Sequence, residues 1–439
     1  MPVRSIYLWL ALAVAIFLAL ALAYARATPA WQAPDEPAHY NYVAYLATTG
    51  QLPILQPGDY PDGKVPIGPE VRLSDISAFR YEAHQPPLFY ALEAVVFKLH
   101  PSVFALRALS LLLGAALLPV AFLCARLALP AKPWLWLAVA AFAGFVPMHL
   151  FVAGSVENDS LADLVLSLVL LAYLASWPSA ILGLLLGLAA LTKVTIYLPA
   201  ILLGLATLLL VRKIPSPAAA GEGEGEGAQL QARLGRLLLG AALAASVAAA
   251  VSGWWFIRNG LIYGWADVFV QNRQAQVAGS QTQTGALGAA QLWNFIAAGF
   301  HSFWGQFGWM SIPLPERDYR VLIAFTGVCA AGWVVFACRR LSSLTLPSPA
   351  AAGEGWRSLG FGLTWAGTAG GLLIYNLKFV QPQGRYLFPA LVPIGVFYVC
   401  GFAALFPRRV QPAAVAALSL GLIVFAAYTL RHDLIPAFR

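Results

Sequence analysis

Eleven stretches of this chain are apolar for long enough to enter a lipid bilayer, and the polar residues collect between them. The stretches cover 6–25, 103–125, 134–152, 159–176, 179–192, 195–211, 237–256, 319–338, 359–377, 387–406 and 412–430. A hydrocarbon layer of roughly 30 Å takes about 20 helical residues. The short alternating segments of a membrane β-barrel are absent from the sequence. The pattern predicts an all-α polytopic membrane protein of about eleven transmembrane helices, one integral membrane domain over 1–439. Residues 180–210, AILGLLLGLAALTKVTIYLPAILLGLATLLL, read as a hairpin of two short helices or as one kinked helix. Lys193 sits at their centre, and a lysine at mid-bilayer costs about 2.5–3.5 kcal/mol. A hairpin with Lys193 at a turn near the outer surface avoids that cost. The first stretch follows Arg4 and precedes Ala25-Arg26-Ala27, which resembles a cleavage site. Its apolar run exceeds the roughly 7–15 residues of a signal sequence, so it reads as an uncleaved span.

Two of the intervening segments, 26–102 and 257–318, are too long to be mere connections. Both mix aromatic and polar residues, as suits helices lying at a membrane interface. Two others, 212–236 and 339–358, hold identical copies of PSPAAAGEG, at 215–223 and 347–355. Pro, Ala, Gly and Glu at that density bury too little apolar surface to order themselves, so both read as flexible loops. The totals agree with a membrane protein: 60% hydrophobic and 10% charged, against roughly 25% charged in a soluble domain. The net charge of +8 matters through its placement. Arg126, Lys132, Arg212, Lys213, Arg233, Arg236, Arg339, Arg340, Arg357, Arg408 and Arg409 fall in connections on one side. The positive-inside rule makes that side cytoplasmic, with the N-terminus. The two long segments then lie outside the cell (plasma or inner) membrane. No basic patch with interleaved aromatics suggests nucleic acid. Cys124, Cys329, Cys338 and Cys400 lie in or beside apolar stretches, with neither metal-ligand nor disulfide spacing.

The outward segments hold the candidate chemistry. In PDEPAHYNYVAYLA, residues 34–47, Asp35 or Glu36 is placed to cap a helix opening at Pro37. A carboxylate there is stabilised by the helix dipole. His39 follows Asp35 by one turn and shares its face. In HQPPLFY the prolines leave His84 and Gln85 at a fixed corner before a helix. In GSVENDS, Glu157 and Asp159 could share one divalent cation through oxygen ligands, Mg or Mn. Asp159 could equally cap the next span. In KFVQPQGRYLFPALVP, Lys378 and Arg385 could snorkel to headgroups or hold a lipid phosphate.

PDEPAHYNYVAYLATTGQLP, HQPPLFY, ENDSLA, GLAALTK and QGRYLFPALVP together resemble the membrane glycosyltransferases of the C superfamily (GT-C). The resemblance runs from the first span to about residue 406, and is strongest to bacterial protein-mannosyltransferase and aminoarabinose-transferase members. It implies a polyprenyl-phosphate-linked sugar donor, a lipid, glycan or protein acceptor, an active site at the outer face, and inversion at the anomeric carbon. It places the essential acidic residue at Asp35, with Glu36 beside it. It sets Glu157 and Asp159 where oligosaccharyltransferases help bind a metal, although metal use differs within the superfamily. His39, His84 and Gln85 would line the substrate site. Arg385, Lys378, Arg258 and Lys193 would be the cations for a leaving phosphate. Competing readings are a transporter or lipid flippase, and a family member without catalysis. Transporters place ionisable groups near the midplane and often carry an inverted repeat. Here those groups gather in the outer segments, and the two halves show no repeat.

Overall fold

The computed structural model describes residues 3–61, 68–210, 226–279, 289–341 and 349–439. All eleven apolar stretches are helical. Helix α1 (Val3–Ala27) leads into the first long segment, which carries α2 (Glu36–Thr49), a 3₁₀ turn (Tyr81–His84) and α3 (Leu88–Leu99). Helix α4 (Val103–Ala128) returns through the bundle to α5 (Pro133–Phe145), α6 (Pro147–Ala153) and α7 (Asp159–Ala175). Helices α8 (Ser179–Ala190) and α9 (Tyr197–Leu210) form the expected hairpin, with Lys193 at its turn. After α10 (Glu226–Tyr263), the second long segment carries α11 (Gln271–Val277), α12 (Ala289–Trp304) and a two-residue hairpin pairing Gln306–Phe307 with Ile312–Pro313. Helices α13 (Glu316–Leu341), α14 (Pro349–Asn376), α15 (Leu391–Ala404) and α16 (Gln411–Thr429) complete the bundle.

Among the described residues, six helical units are long and apolar enough to cross a membrane, seven if α5 and α6 count as one bent span. This makes the chain a multi-pass membrane protein. The count falls below eleven for reasons of length and composition. Helices α8 and α9, at 12 and 14 residues, rise only about 18–21 Å at 1.5 Å per residue. Helix α14 is long enough, but its glycines and threonines lower its apolarity. The first PSPAAAGEG copy and the start of the second lie outside the described residues. From Pro349 onward the second copy is helical, so α14 begins ten residues before the expected span.

The bundle is densest around α5, α6, α7 and α15, whose residues are mostly buried. The α5–α6 pair bends by 63°. Pro147 causes the bend, because proline lacks an N–H and pushes the preceding residue out of the helical region. Val146 accordingly sits at φ −64°, ψ 123°. The bend turns α6 into the connection at 154–158 and so sets the height of Glu157. The two long segments meet at this same end of the bundle. Trp309 Nε1 donates to the Trp31 carbonyl at 2.9 Å, and the Tyr263 hydroxyl accepts from the Leu55 N–H at 2.8 Å.

One packing feature carries a pH signature. Glu93 on α3 is buried against α4, and burial outweighs the nearby Ser110 hydroxyl and pushes its carboxyl up to about 9. The unfolded value is about 4.3. Folding therefore carries a proton on Glu93, and stability falls as pH rises from the lower value to the higher, by up to about 1.4 kcal/mol per unit. Glu93→Gln keeps the shape without the titration. Thermal unfolding should show a higher midpoint than wild type at pH 8 and an equal one at pH 4. Equal midpoints at both pH values would contradict this.

Candidate active site

The adjacent acids Asp35 and Glu36 have opposite fates. Glu36 is fully buried. Its Oε1 accepts from Arg107 Nε at 2.8 Å and the Val156 N–H at 3.1 Å. Its Oε2 accepts from Arg107 Nη2 at 2.7 Å and the Trp31 N–H at 3.0 Å. Arg107, in the second turn of α4, also donates to the Ala25, Thr28 and Pro29 carbonyls at 2.7, 2.7 and 3.1 Å. This ion pair staples the end of α1, the start of α2, α4 and the 154–158 connection. The expectation of a catalytic Glu36 fails on this geometry, because each oxygen already accepts two hydrogen bonds away from the pocket.

Asp35 heads α2 but does not cap it. It adopts the left-handed region, φ 63°, which aspartate tolerates. That turn directs its carboxylate away from the first-turn N–H groups, and its side chain makes no capping bond. Oδ1 instead accepts from the Tyr81 hydroxyl at 2.8 Å, and Oδ2 from Arg385 Nη2 at 2.5 Å. The Asp35 side chain keeps 24% of its surface exposed, while Arg385 keeps 2%.

Arg385 is the hub. Its Nη1 donates to Glu157 Oε1 at 2.6 Å and its Nε to Gln383 Oε1 at 2.6 Å. Asp159 Oδ2 lies 4.0 Å from Nη1. The preceding Gly384 lets this turn press onto α12: a Cβ there would stand 2.0 Å from the Gly299 carbonyl oxygen. Lys193, delivered by the α8–α9 turn, pairs with Asp159 Oδ1. Both cations lie over the Tyr386 ring, at 5.5 Å for Arg385 and 5.6 Å for Lys193. Lys193 thus reaches the hairpin turn as expected, but it is buried there among charges.

His39 enters from α2, with Nδ1 2.8 Å from the Tyr90 hydroxyl and Nε2 3.6 Å from Glu157 Oε1. Burial works against its imidazolium, but Glu157, with Glu82 and Asp35, outweighs burial and raises its pKa. Burial likewise opposes ionisation of Glu157, and Arg385 with His39 overrides it, holding that carboxyl well below the usual range. Burial and Asp35 keep the Tyr81 hydroxyl protonated, as its donor role requires.

A pocket opens over this cluster. Asp35, His39, His84, Gln85, Glu157, Lys193 and Arg385 all line it. Gln85 Oε1 accepts from Asn158 at 3.3 Å, and His84 Nδ1 lies 2.8 Å from the Tyr81 carbonyl. Arg258 and Lys378 do not line it. Arg258 instead ties the Leu52 and Pro53 carbonyls, at 3.3 and 2.7 Å, and exposed Lys378 donates to Asn272 at 2.7 Å. The sequence reading missed Tyr81, Glu82, Gln274, Tyr375 and Tyr386, which also face the pocket. Tyr81 and Glu82 stand just ahead of HQPP, and an acid two residues before His84 was the available signal. Glu82 is buried, and its Oε2 has no partner.

These residues do not fit a divalent cation. Glu157 Oε1 and Asp159 Oδ1 already face Arg385 and Lys193, so a metal between them would meet two fixed positive charges. Among the described residues no group of three His, Cys, Asp or Glu is arranged to hold one. The expected cation at Glu157 and Asp159 gives way to the chain's own side chains.

No family model and no curated protein matches the sequence. Solved structures match its shape. ArnT from Cupriavidus metallidurans bound to undecaprenyl phosphate aligns over 100% of this chain and 74% of its own, at 15% identity and TM-score 0.52. The same protein in the apo state aligns over 97% and 73%, at 15% identity and TM-score 0.50. The chain has the GT-C fold.

Within that fold the Glu36–Arg107 staple makes a separable prediction. Breaking a buried pair from one side costs about 3–5 kcal/mol. Glu36→Gln or Arg107→Ala should therefore lower the thermal midpoint strongly, while Asp35→Asn, at a side chain 24% exposed, leaves it near wild type. A Glu36→Gln protein of wild-type stability would show that the pair is no staple.

Proposed function

We propose that this chain is an inverting glycosyltransferase that moves a sugar from a polyprenyl-phosphate donor to a lipid, glycan or protein acceptor at the outer membrane surface. The observation that carries this reading is the convergence of two buried cations, Arg385 and Lys193, with the carboxylate of Asp35 in one pocket at the end of an apolar bundle. A donor with its tail in lipid presents its phosphate at that depth. The likeness in shape to ArnT, whose crystal holds undecaprenyl phosphate, supports the same reading.

In the reaction, the acceptor oxygen attacks the anomeric carbon from the face opposite the phosphate. The new C–O bond forms as the bond from that carbon to the phosphate oxygen breaks, and the phosphate leaves with the electron pair. Arg385 and Lys193 stabilise the charge that develops on it. Asp35 takes the acceptor's proton, a contribution of typically about 10²–10⁴ in rate. The leaving phosphate needs no acid, unlike the leaving group in glycoside hydrolysis. A flippase reading fits less well, because the buried charges gather at one end of the bundle rather than at its middle. We place the N-terminus in the cytoplasm and the pocket on the extracytoplasmic side.

The test is transfer from polyprenyl-phosphate sugars by purified protein. Asp35→Asn should insert and fold normally and lose at least about 10² in turnover. Arg385→Ala should also lose transfer, through weakened donor binding. Wild-type turnover in the Asp35→Asn protein would remove Asp35 from the base role.

A further inference from the structure

The pocket has a charge problem. Asp35, Glu82 and Glu157 line it, and Asp159 stands behind them on Lys193, against two permanently charged cations among the described lining residues, Arg385 and Lys193. Adding a phosphate to that set would bring another anion into a site already rich in carboxylates. The space is also small. The cavity measures about 60 Å³, against roughly 300–1,000 Å³ for typical ligand sites. Asp35 and Arg385 both line it and are paired with each other.

We propose that the Asp35 carboxylate occupies the seat of the donor phosphate on Arg385, and that phosphate binding exchanges one anion for the other. The inference rests on the donor reading above and adds how the site is switched on. Of the four carboxylates, Asp35 is the one able to leave. Glu157 and Asp159 are buried and hold the two cations from below. Asp35 is the most exposed member, and only Arg385 and Tyr81 hold it. A phosphate at Nη2 keeps the guanidinium bidentately neutralised, with Glu157 still on Nη1. Displaced from Arg385, Asp35 Oδ2 is free of its cation. It then stands beside the phosphate it has yielded to, where the anomeric carbon must lie. Base positioning is thereby tied to donor occupancy: an empty pocket holds the carboxylate against Arg385.

The exchange makes Asp35 a competitor for phosphate binding, although catalysis needs it. A seat free only about a tenth of the time weakens apparent affinity about tenfold. Undecaprenyl phosphate should be titrated into the purified full-length protein, with affinity read from tryptophan fluorescence. Asp35→Asn should bind it at least about tenfold more tightly than wild type, while losing transfer. Glu82→Gln is the control, since it removes one negative charge from the same pocket without touching Arg385. It should tighten binding by less than about threefold. Arg385→Ala should abolish saturable binding. Equal tightening by Asp35→Asn and Glu82→Gln would reduce the effect to general charge and overturn the exchange. Unchanged or weaker binding by Asp35→Asn would overturn it too, with the donor reading intact if wild type binds. Failure of wild type and every variant to bind undecaprenyl phosphate would sink the donor reading, and the exchange with it.

Discussion

A guanidinium buried at the end of an apolar bundle must be surrounded by anions, and the site follows from that requirement. Stranding the Arg385 charge away from water would cost several kcal/mol. Glu157 and Asp35 meet it at 2.6 and 2.5 Å, from the α6–α7 connection and from the head of α2. Asp159 then needs its own partner, which Lys193 supplies from the α8–α9 turn. Four separate parts of the chain are thus brought to one point by charge compensation. The bundle beneath sets the positions: Pro147 bends α6 toward the pocket, and Gly384 lets Arg385 sit against α12.

The contrast between Asp35 and Glu36 shows how a small backbone choice divides structure from chemistry. Both carboxylates lie at the start of α2. Glu36 points into the bundle and is consumed by Arg107 and two backbone N–H groups. Asp35, in the left-handed region, points into the pocket and keeps contact with water. The buried pair ties the neighbourhood together, and the partly exposed acid is left able to move. A carboxylate with every lone pair filled is poor material for a base. One held by a single cation and a single hydroxyl can be released by a better anion.

Much of this was legible in the sequence, because lipid leaves few solutions. Long apolar stretches had to become helices, and a lysine between two short ones had to be a turn. The motifs around Asp35, His84, Glu157 and Arg385 lie far apart in the chain, and these four residues line one pocket. Four features were not legible. Which of two adjacent acids faces the pocket depends on one φ angle. Arg107 looked like any basic residue near a span end, and only the fold gives it Glu36 as a partner. Arg258 and Lys378 share charge and membrane depth with Arg385, but loop packing turns them onto the Leu52 and Pro53 carbonyls and onto Asn272. Glu157 and Asp159 read as metal ligands because spacing reveals acids and not the cations that reach them from 34 and 228 residues away.

The reading of this GT-C fold as a transferase stands on where a lipid phosphate binds. A second basic set, Lys132 and Arg408, lines a separate pocket with the connection after α4 and the C-terminal end of α15, far along the bundle from Arg385. The most direct measurement is an experimental structure of the protein bound to undecaprenyl phosphate. The account predicts the phosphate within hydrogen-bond reach of Arg385 Nη2, with the Asp35 carboxylate turned off that nitrogen. A phosphate bound only beside Lys132 and Arg408, with the Asp35–Arg385 pair intact, would contradict it.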